Sequence, residues 1–457
     1  MDTSISIRND KDRVALLYRL SHTFNSSLNL DEVLNNVIDE IIAATRAESG
    51  FVVLRRQDGG LDFPVARGID QTTIENPQSQ ITPGVLRGVI EIGEPFLISD
   101  TNTTDPPLPA NDRSDLGSVS IMCTPLIVRE NIIGAVYVEN CADAGAFNED
   151  DLELLGAISA SAAVAIDNAR LYQEAVDKGR MERELQVARK VQRDFIPSFL
   201  CQPLNWEISA RLEAAREVGG DFYDVISLDE DRLVGLVIGD VCDKGVGSAL
   251  FMALFRSLIR AFAEQHVCAD GRLTDFRSDN ESKMLNLREA ESEQSSIDIS
   301  TLINAIYLTN QYINNHHHLS NMFTTLFFAV IDPKSGNMAY VNCGHEPPIL
   351  YNNGIVKQRL SPTGPVLGIL PDMKFQVKQI AMAPGDTLLA YTDGVIDALD
   401  SEGKTFSEER LLSLAQSSPV STEALLDKIT ESIHAHIGDQ IQFDDIALLA
   451  ARWVRAD

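Results

Sequence analysis

The sequence predicts an α+β protein of several domains, on three observations. Residues 30–139 mix helical apolar spacing with short β-branched runs joined by turn residues, which marks a small antiparallel sheet with flanking helices. From Asp150 to about Phe195 the chain reads helical almost without a break, until Pro197 stops it. Beyond that helix, apolar strand-like runs begin or end on an aspartate at four separate places.

Composition narrows the function classes. A length of 457 residues fits two to four domains, and 44% apolar residues is ample for ordinary soluble cores. The formal charge of −29 argues against a nucleic-acid surface and against docking on an anionic membrane. The cysteines (Cys123, Cys141, Cys201, Cys242, Cys268, Cys343) include no Cys-x-x-Cys pair, so neither a disulfide framework nor a zinc site is indicated. No apolar run approaches a membrane span and no basic-then-apolar leader opens the chain, so a cytoplasmic protein is expected.

In order, Val14, Leu17 and Leu20 set a helix over 11–26. Val33, Leu34, Val37, Ile38, Ile41 and Ile42 set a second over 30–46, behind an Asn29/Asp31 start signal. Phe51–Leu54 is a strand that Asp58-Gly59-Gly60 turns into Leu61–Ala66. Gly84–Ile92 is helical, Pro95–Ile98 extended, and Ser99–Ser114 a polar, proline-containing loop. Ser120–Val128 and Ile132–Glu139 pair about Arg129-Glu130-Asn131. Phe147–Leu155 then opens the long helix. Along it Leu171, Ala175, Met181, Leu185, Ala188 and Phe195 recur mostly at three- and four-residue intervals or their multiples, a stripe of coiled-coil type. Either this helix packs on its own domain, or it pairs in a parallel dimer and carries a state from one half to the other.

In the second half, Ser248–Phe262 is a helix with Phe251, Leu254, Phe255, Leu258 and Ile259 on one face. Residues 264–298 are polar and acidic and read as a surface insertion. A helix over Ile299–Asn314 precedes His316-His317-His318, read as a solvated turn rather than a metal tract. Phe323–Ile331 and Met338–Asn342 form a hairpin about Asp332–Gly336. A Pro/Gly-rich loop covers 361–371 and Thr387–Tyr391 is a strand. Val395–Leu399 and Ser407–Leu414 look helical and form a flap in this reading, and Ser421–Ile437 is the closing helix.

The chemistry lies in the acids at the strand ends. Gly219-Gly220 permits close backbone approach just before Asp221; Asp240 follows Leu233–Gly239; Asp393 follows Thr387–Thr392; and Asp444 precedes Asp445-Ile446 and Ala447–Ala450. One Asp-Gly more often completes a turn or caps a helix. Four acids beside buried strands, without a matching set of bases, want cations. Hard Mg²⁺ or Mn²⁺ ions take oxygen ligands, and two of them about 3.5–4 Å apart clamp a phosphate and activate a water. Arg216 either steers the phosphate or is a surface arginine. His345 either protonates a leaving alkoxide or, as favoured here, holds its loop. A covalent route through Cys242 is discounted, because no Arg-rich phosphate cradle follows it.

Six ordered motifs, Val218-Gly-Gly-Asp-Phe-Tyr-Asp224, Gly239-Asp-Val-Cys-Asp-Lys-Gly245, Met322-Phe-Thr-Thr-Leu-Phe327, Asn342-Cys-Gly-His-Glu-Pro-Pro348, Thr392-Asp-Gly394 and Asp444-Asp-Ile446, together resemble the SpoIIE/RsbU-type bacterial serine phosphatases of the metal-dependent 2C superfamily. The resemblance covers about residues 185–455. It implies an αββα sandwich and a two-ion centre of Mn²⁺ or Mg²⁺ that hydrolyses protein phosphoserine or phosphothreonine. Asp221, Asp240, Asp393 and Asp444 would be the ligands, with the Val241 carbonyl serving where relatives usually have glycine. A phosphorylated anti-sigma-factor antagonist of the STAS type is the substrate the resemblance implies. Residues 25–170 resemble a GAF sensor domain, whose small ligand or partner is open, as is a use in dimer packing alone. The expected organisation is an N-terminal helix over 1–24, the GAF domain over 25–170, a signalling helix over 171–197 and the phosphatase over 198–457, in a homodimer. A phosphatase-like regulator that only docks a partner is the alternative; a nucleotide cyclase would need base-recognising motifs that are not seen.

Overall fold

The structure, a computed structural model, describes residues 10–56, 58–68, 70, 72–74, 81–99, 119–141, 146–264, 299–416 and 421–454. It divides into two compact units, Met1–Glu182 and Arg183–Asp457. The expected polar loop after Ser99 and the acidic insertion after Glu264 lie outside the described residues.

In the first unit, α1 (Asp10–Phe24) and α2 (Leu30–Thr45) precede β1 (Ser49–Arg55) and β2 (Leu61–Gly68). Then come α3 (Pro83–Ile92), β3 (Phe96–Ile98), β4 (Ser120–Val128) and β5 (Asn131–Asn140). The strands form one five-stranded antiparallel sheet in the order β2-β1-β5-β4-β3. The Asn29 side chain caps α2 by accepting the Glu32 N–H at 3.1 Å. Alternation along β5 sends Val136 and Val138 toward α2 and the first half of α4 (Glu149–Phe195), and Ala135 and Tyr137 toward α3. The buried positions of α4 end at Ala169, and Leu171, Val176, Met181, Val187 and Val191 are exposed.

The second unit has β6 (Trp206–Glu213), β7 (Phe222–Leu228), β8 (Leu233–Val241), α5 (Val246–Glu264), α6 (Ser300–His317), β9 (Thr324–Ile331), β10 (Asn337–Cys343), β11 (Ile349–Asn352), β12 (Ile355–Arg359), β13 (Lys378–Ala381), β14 (Asp386–Tyr391), α7 (Asp393–Ile396), α8 (Glu408–Gln416), α9 (Thr422–Ile437) and β15 (Ile446–Trp453). Two five-stranded sheets, β13-β10-β9-β8-β7 and β12-β11-β14-β15-β6, form it. Their inner faces share a core that includes Val225, Leu236, Phe327, Leu388 and Leu449. Helices α5 and α6 cover the outer face of the first sheet, and α7 to α9 that of the second. This is a helix–sheet–sheet–helix sandwich. Each fully buried Leu, Ile or Phe in these layers contributes roughly 1.5–3 kcal/mol.

Several expectations are corrected. Helix α6 continues through His316 and His317, whose rings lie 4.8 Å from Tyr312 and 5.6 Å from Phe251; these ring contacts hold the histidines in the helix instead of a turn. Residues 407–414 are not a flap, because Leu411 and Ala415 are buried with α9 in the outer core. Strands β11, β12 and β13 are too short or too exposed to be found by periodicity, and β6, though it alternates apolar and polar residues from Trp206 to Glu213, is not among the expected strands. In the fold β6 is fixed by eight register pairs with β15 and a Trp206–Trp453 ring stack at 5.6 Å. Both α4 and α5 are long and apolar enough to cross a membrane by length and composition, against the reading that no run approaches a span. Part of each packs inside its own unit: Leu155, Ile158 and Ala162 join the core of the first unit, and Met252, Phe255 and Ile259 that of the second.

Candidate metal centre

Antiparallel pairing gathers the acids at one end of the sandwich. In one sheet Phe222 pairs with Gly239, so Asp221, just before β7, meets Asp240, near the end of β8. In the other, Tyr391 pairs with Leu448, so Asp393 lies just past the end of β14 while Asp444 and Asp445 lie just before β15. Thr392 ties the two sheets together. Its hydroxyl donates to Asp221 Oδ2 at 2.7 Å and accepts the Ala447 N–H at 2.9 Å.

Asp221 is 3% exposed. The Asp240 carboxyl is the nearest charge acting on it. Burial first, then Asp240 and Asp445, pushes Asp221 well above the usual carboxylate range. Burial and then Asp393 does the same to Asp240; burial, Asp444 and Asp397 raise Asp393. Asp444 carries an ion pair, with Lys244 Nζ at 2.8 Å.

Among the described residues, no three His, Cys, Asp or Glu side chains gather as one metal ion's ligand set. Asp221 and Asp240 touch; Asp393 and Asp444 act on Asp240 through space. Like charges this near one another are unfavourable without a cation, and Lys244 supplies one to Asp444. The donor chemistry fits a hard divalent cation: carboxylate and carbonyl oxygens, Asp221 buried and Asp240, Asp393 and Asp444 partly so, with no basic group on Asp221 or Asp240 among the described residues.

Asp445, next to a predicted ligand but given no role by the sequence argument, holds the Asp221 loop. Its Oδ1 accepts the Ala215 N–H at 2.8 Å and its Oδ2 the Gly220 N–H at 2.7 Å. A Cβ on Gly219 would lie 2.1 Å from that carboxylate, and one on Gly394 would lie 1.9 Å from the Asp445 carbonyl, so both positions exclude a side chain. A Cβ on Gly220 would lie 2.7 Å from the Val241 carbonyl, which therefore faces the Asp221 loop. The Val241 side chain is buried in the outer core at the end of β8, so its β-branch suits the strand there. From the end of α4, the Gln192 amide grips Gly219 twice, donating to its carbonyl at 2.6 Å and accepting its N–H at 3.2 Å. Asp445 was legible as part of an Asp-Asp-Ile motif; nothing local marks Gln192.

His345 is 2% exposed, with Nδ1 2.8 Å from the Thr325 hydroxyl, and its backbone N–H donates to Asn342 Oδ1 at 2.8 Å. Burial pushes its pKa down to about 3. A neutral, enclosed imidazole holds the loop. Arg216 is exposed. The Cys242 thiol is pushed up by burial and accepts the Phe323 N–H at 3.2 Å, which favours a thiol over a nucleophilic thiolate.

The family model for stage II sporulation protein E (SpoIIE) matches residues 230–454, and that for the GAF domain matches residues 29–166. The SpoIIE match starts after Asp221, whose place beside Asp240 rests on the geometry. Protein IcfG of Synechocystis sp. is 40% identical over 280 residues, covering 61% of this chain and 43% of that protein. Phosphoserine phosphatase RsbP of Bacillus subtilis is 25% identical over 216 residues, 47% of this chain and 46% of that protein. The chain thus spans about half the length of these curated relatives. Among solved structures, the SiaA-PP2C domain of Pseudomonas aeruginosa aligns with a TM-score of 0.45 and 18% identity, over 62% of this chain and 100% of that one.

Proposed function

We propose that this chain, whose residues 230–454 belong to the SpoIIE family of PP2C-type phosphatases and whose residues 29–166 belong to the GAF family, hydrolyses phosphoserine or phosphothreonine on a partner protein. The observation that carries this reading is the buried Asp221 beside the partly buried Asp240, uncompensated by a base and with Asp393, Asp444 and Asp445 close by. Mn²⁺ or Mg²⁺ held by Asp221, Asp240, Asp393, Asp444 and the Val241 carbonyl would supply positive charge against the phosphoryl group and an acidified water.

The residues of the chain do the positioning. Thr392 fixes the rotamer of Asp221 across the sheets, and Asp445 and Gln192 fix the backbone that carries it. His345, neutral and enclosed, keeps the segment after β10 in place and takes no part in proton transfer. The substrate class proposed is a phosphoserine on a STAS-type anti-sigma-factor antagonist, in keeping with the phosphoserine phosphatase name of the relative RsbP. The stripe Leu171, Ala175, Met181, Leu185, Ala188 and Phe195 of α4, on which Leu171 and Met181 are exposed, supports a parallel dimer through this helix, with the GAF unit setting its state. A monomer in sedimentation at micromolar concentration would end the dimer proposal.

The test of the activity is phosphate release from a phosphorylated STAS domain. Release should require Mn²⁺ or Mg²⁺, stop with EDTA, and fall more than about 100-fold in Asp240→Asn. Activity that survives chelation, or that the substitution leaves intact, sinks the reading. A wild-type protein that binds the partner without releasing phosphate is instead a docking regulator.

A further inference from the structure

The acids of the site would repel a phosphoryl dianion, and one cation stands among them. Among the described residues, Lys244 is the only basic side chain in an ion pair with any of Asp221, Asp240, Asp393, Asp444 or Asp445. Its Nζ lies 2.8 Å from Asp444 Oδ2 and 2.8 Å from the Phe443 carbonyl, and 4.2 Å from the Phe443 ring centre. The side chain is 32% exposed, so solvent and substrate reach it.

The backbone presents this lysine deliberately. Asp243 at φ 71° and Gly245 at φ 94° place left-handed residues on both sides of it, and Asp243 Oδ1 accepts the Lys244 N–H at 2.8 Å. A non-glycine residue in that region is held there at a cost, a pattern common at functional sites. Gly247 follows in the first turn of α5, where an added Cβ would meet nothing within 4 Å. Packing within this chain therefore does not require glycine there.

We propose that Lys244 is a substrate-binding residue, whose ammonium takes an oxygen of the phosphoryl group on the incoming serine or threonine. This rests on the phosphatase reading above and names the group that receives the phosphate. The lysine's hold on Asp444 makes two demands compete. Removing the ammonium frees Asp444 for a divalent ion and removes a positive charge next to it, while it takes away the phosphate's protein partner. Divalent-ion binding and phosphate binding therefore move in opposite directions. A lysine that merely clamped its loop to the residues before β15 would change stability and leave phosphate affinity alone.

The experiment uses the full chain as wild type, Lys244→Gln and Lys244→Arg. Calorimetry measures Mn²⁺ binding, then inorganic phosphate binding at saturating Mn²⁺; p-nitrophenyl phosphate gives KM and kcat. In Lys244→Gln, phosphate Kd and KM should rise roughly ten- to hundredfold, with kcat less affected. Mn²⁺ affinity should be equal or higher, and Lys244→Arg should restore most of the phosphate binding. Wild-type phosphate Kd and KM in Lys244→Gln, or weakened Mn²⁺ binding as its main effect, overturns the assignment. If the wild type binds phosphate through Lys244 but hydrolyses no phosphoester, the phosphatase reading fails and the anion site stands.

Discussion

Asp221 and Asp224 lie three residues apart, are 3% and 1% exposed, and are compensated in opposite ways. Asp224 points behind the sheet into a basic lock: Arg260 reaches it at 2.6 and 2.9 Å and Arg256 at 3.0 Å, fastening β7 to α5. Asp221 faces the mouth of the sandwich, where a threonine hydroxyl and other carboxyls are its company. The fold thus supplies cations to the acid that serves structure and none to the acid at the mouth. A buried acid left among other acids marks a place for an external positive charge. The GAF unit shows a third treatment. Glu139, also 3% exposed, has an Oε2 with no hydrogen-bond partner among the described residues, and burial lifts its pKa to about 7, so a proton serves it.

The largest expected effect breaks the comparison on its structural side. Asp224→Ala strands two half-buried arginines and should lower unfolding free energy in urea by about 3–5 kcal/mol. Asp221→Asn, by contrast, should leave metal-free stability equal or raised, because it removes a repulsive charge. A matching loss in both variants would erase the distinction. Next, Gly219→Ala drives a methyl against the Asp445 carboxylate and should weaken Mn²⁺ binding roughly ten- to hundredfold by calorimetry, with the second sheet unaffected in hydrogen exchange.

The smallest effect concerns Glu139. Between its unfolded value near 4.5 and its folded value of about 7, the folded state holds a proton that the unfolded state has lost. Its burial therefore costs nothing below pH 4.5, and stability falls as pH rises to 7, by on the order of 1–3 kcal/mol. Glu139→Gln should flatten the thermal stability of the GAF unit across pH 5–7.5. An unchanged slope would show that Glu139 is not the titrating group.

Much of this was legible along the chain. The 3.6-residue spacing of Val33 to Ile42 and the Asn29 cap announced α2, and the β-branched runs ending on Asp240 and Asp393 announced strands whose ends carry charge. The misses share a cause. Strands β11 to β13 are short or exposed, and the histidines at the end of α6 lean on Phe251 and Tyr312 rather than on any local signal. Asp444 and Asp445 look alike in sequence, yet one pairs with Lys244 and the other grips backbone 225 residues away.

The sequence by itself determined the helices, most strands and the residue types at the mouth, because periodicity and turn chemistry are local properties of the backbone. Only the tertiary structure decided which buried acids received arginines, which received a hydroxyl and which received one another. Those assignments depend on side chains meeting across two packed sheets, and at such distances the energy of a charge is set by its neighbours in space and not by its neighbours along the chain.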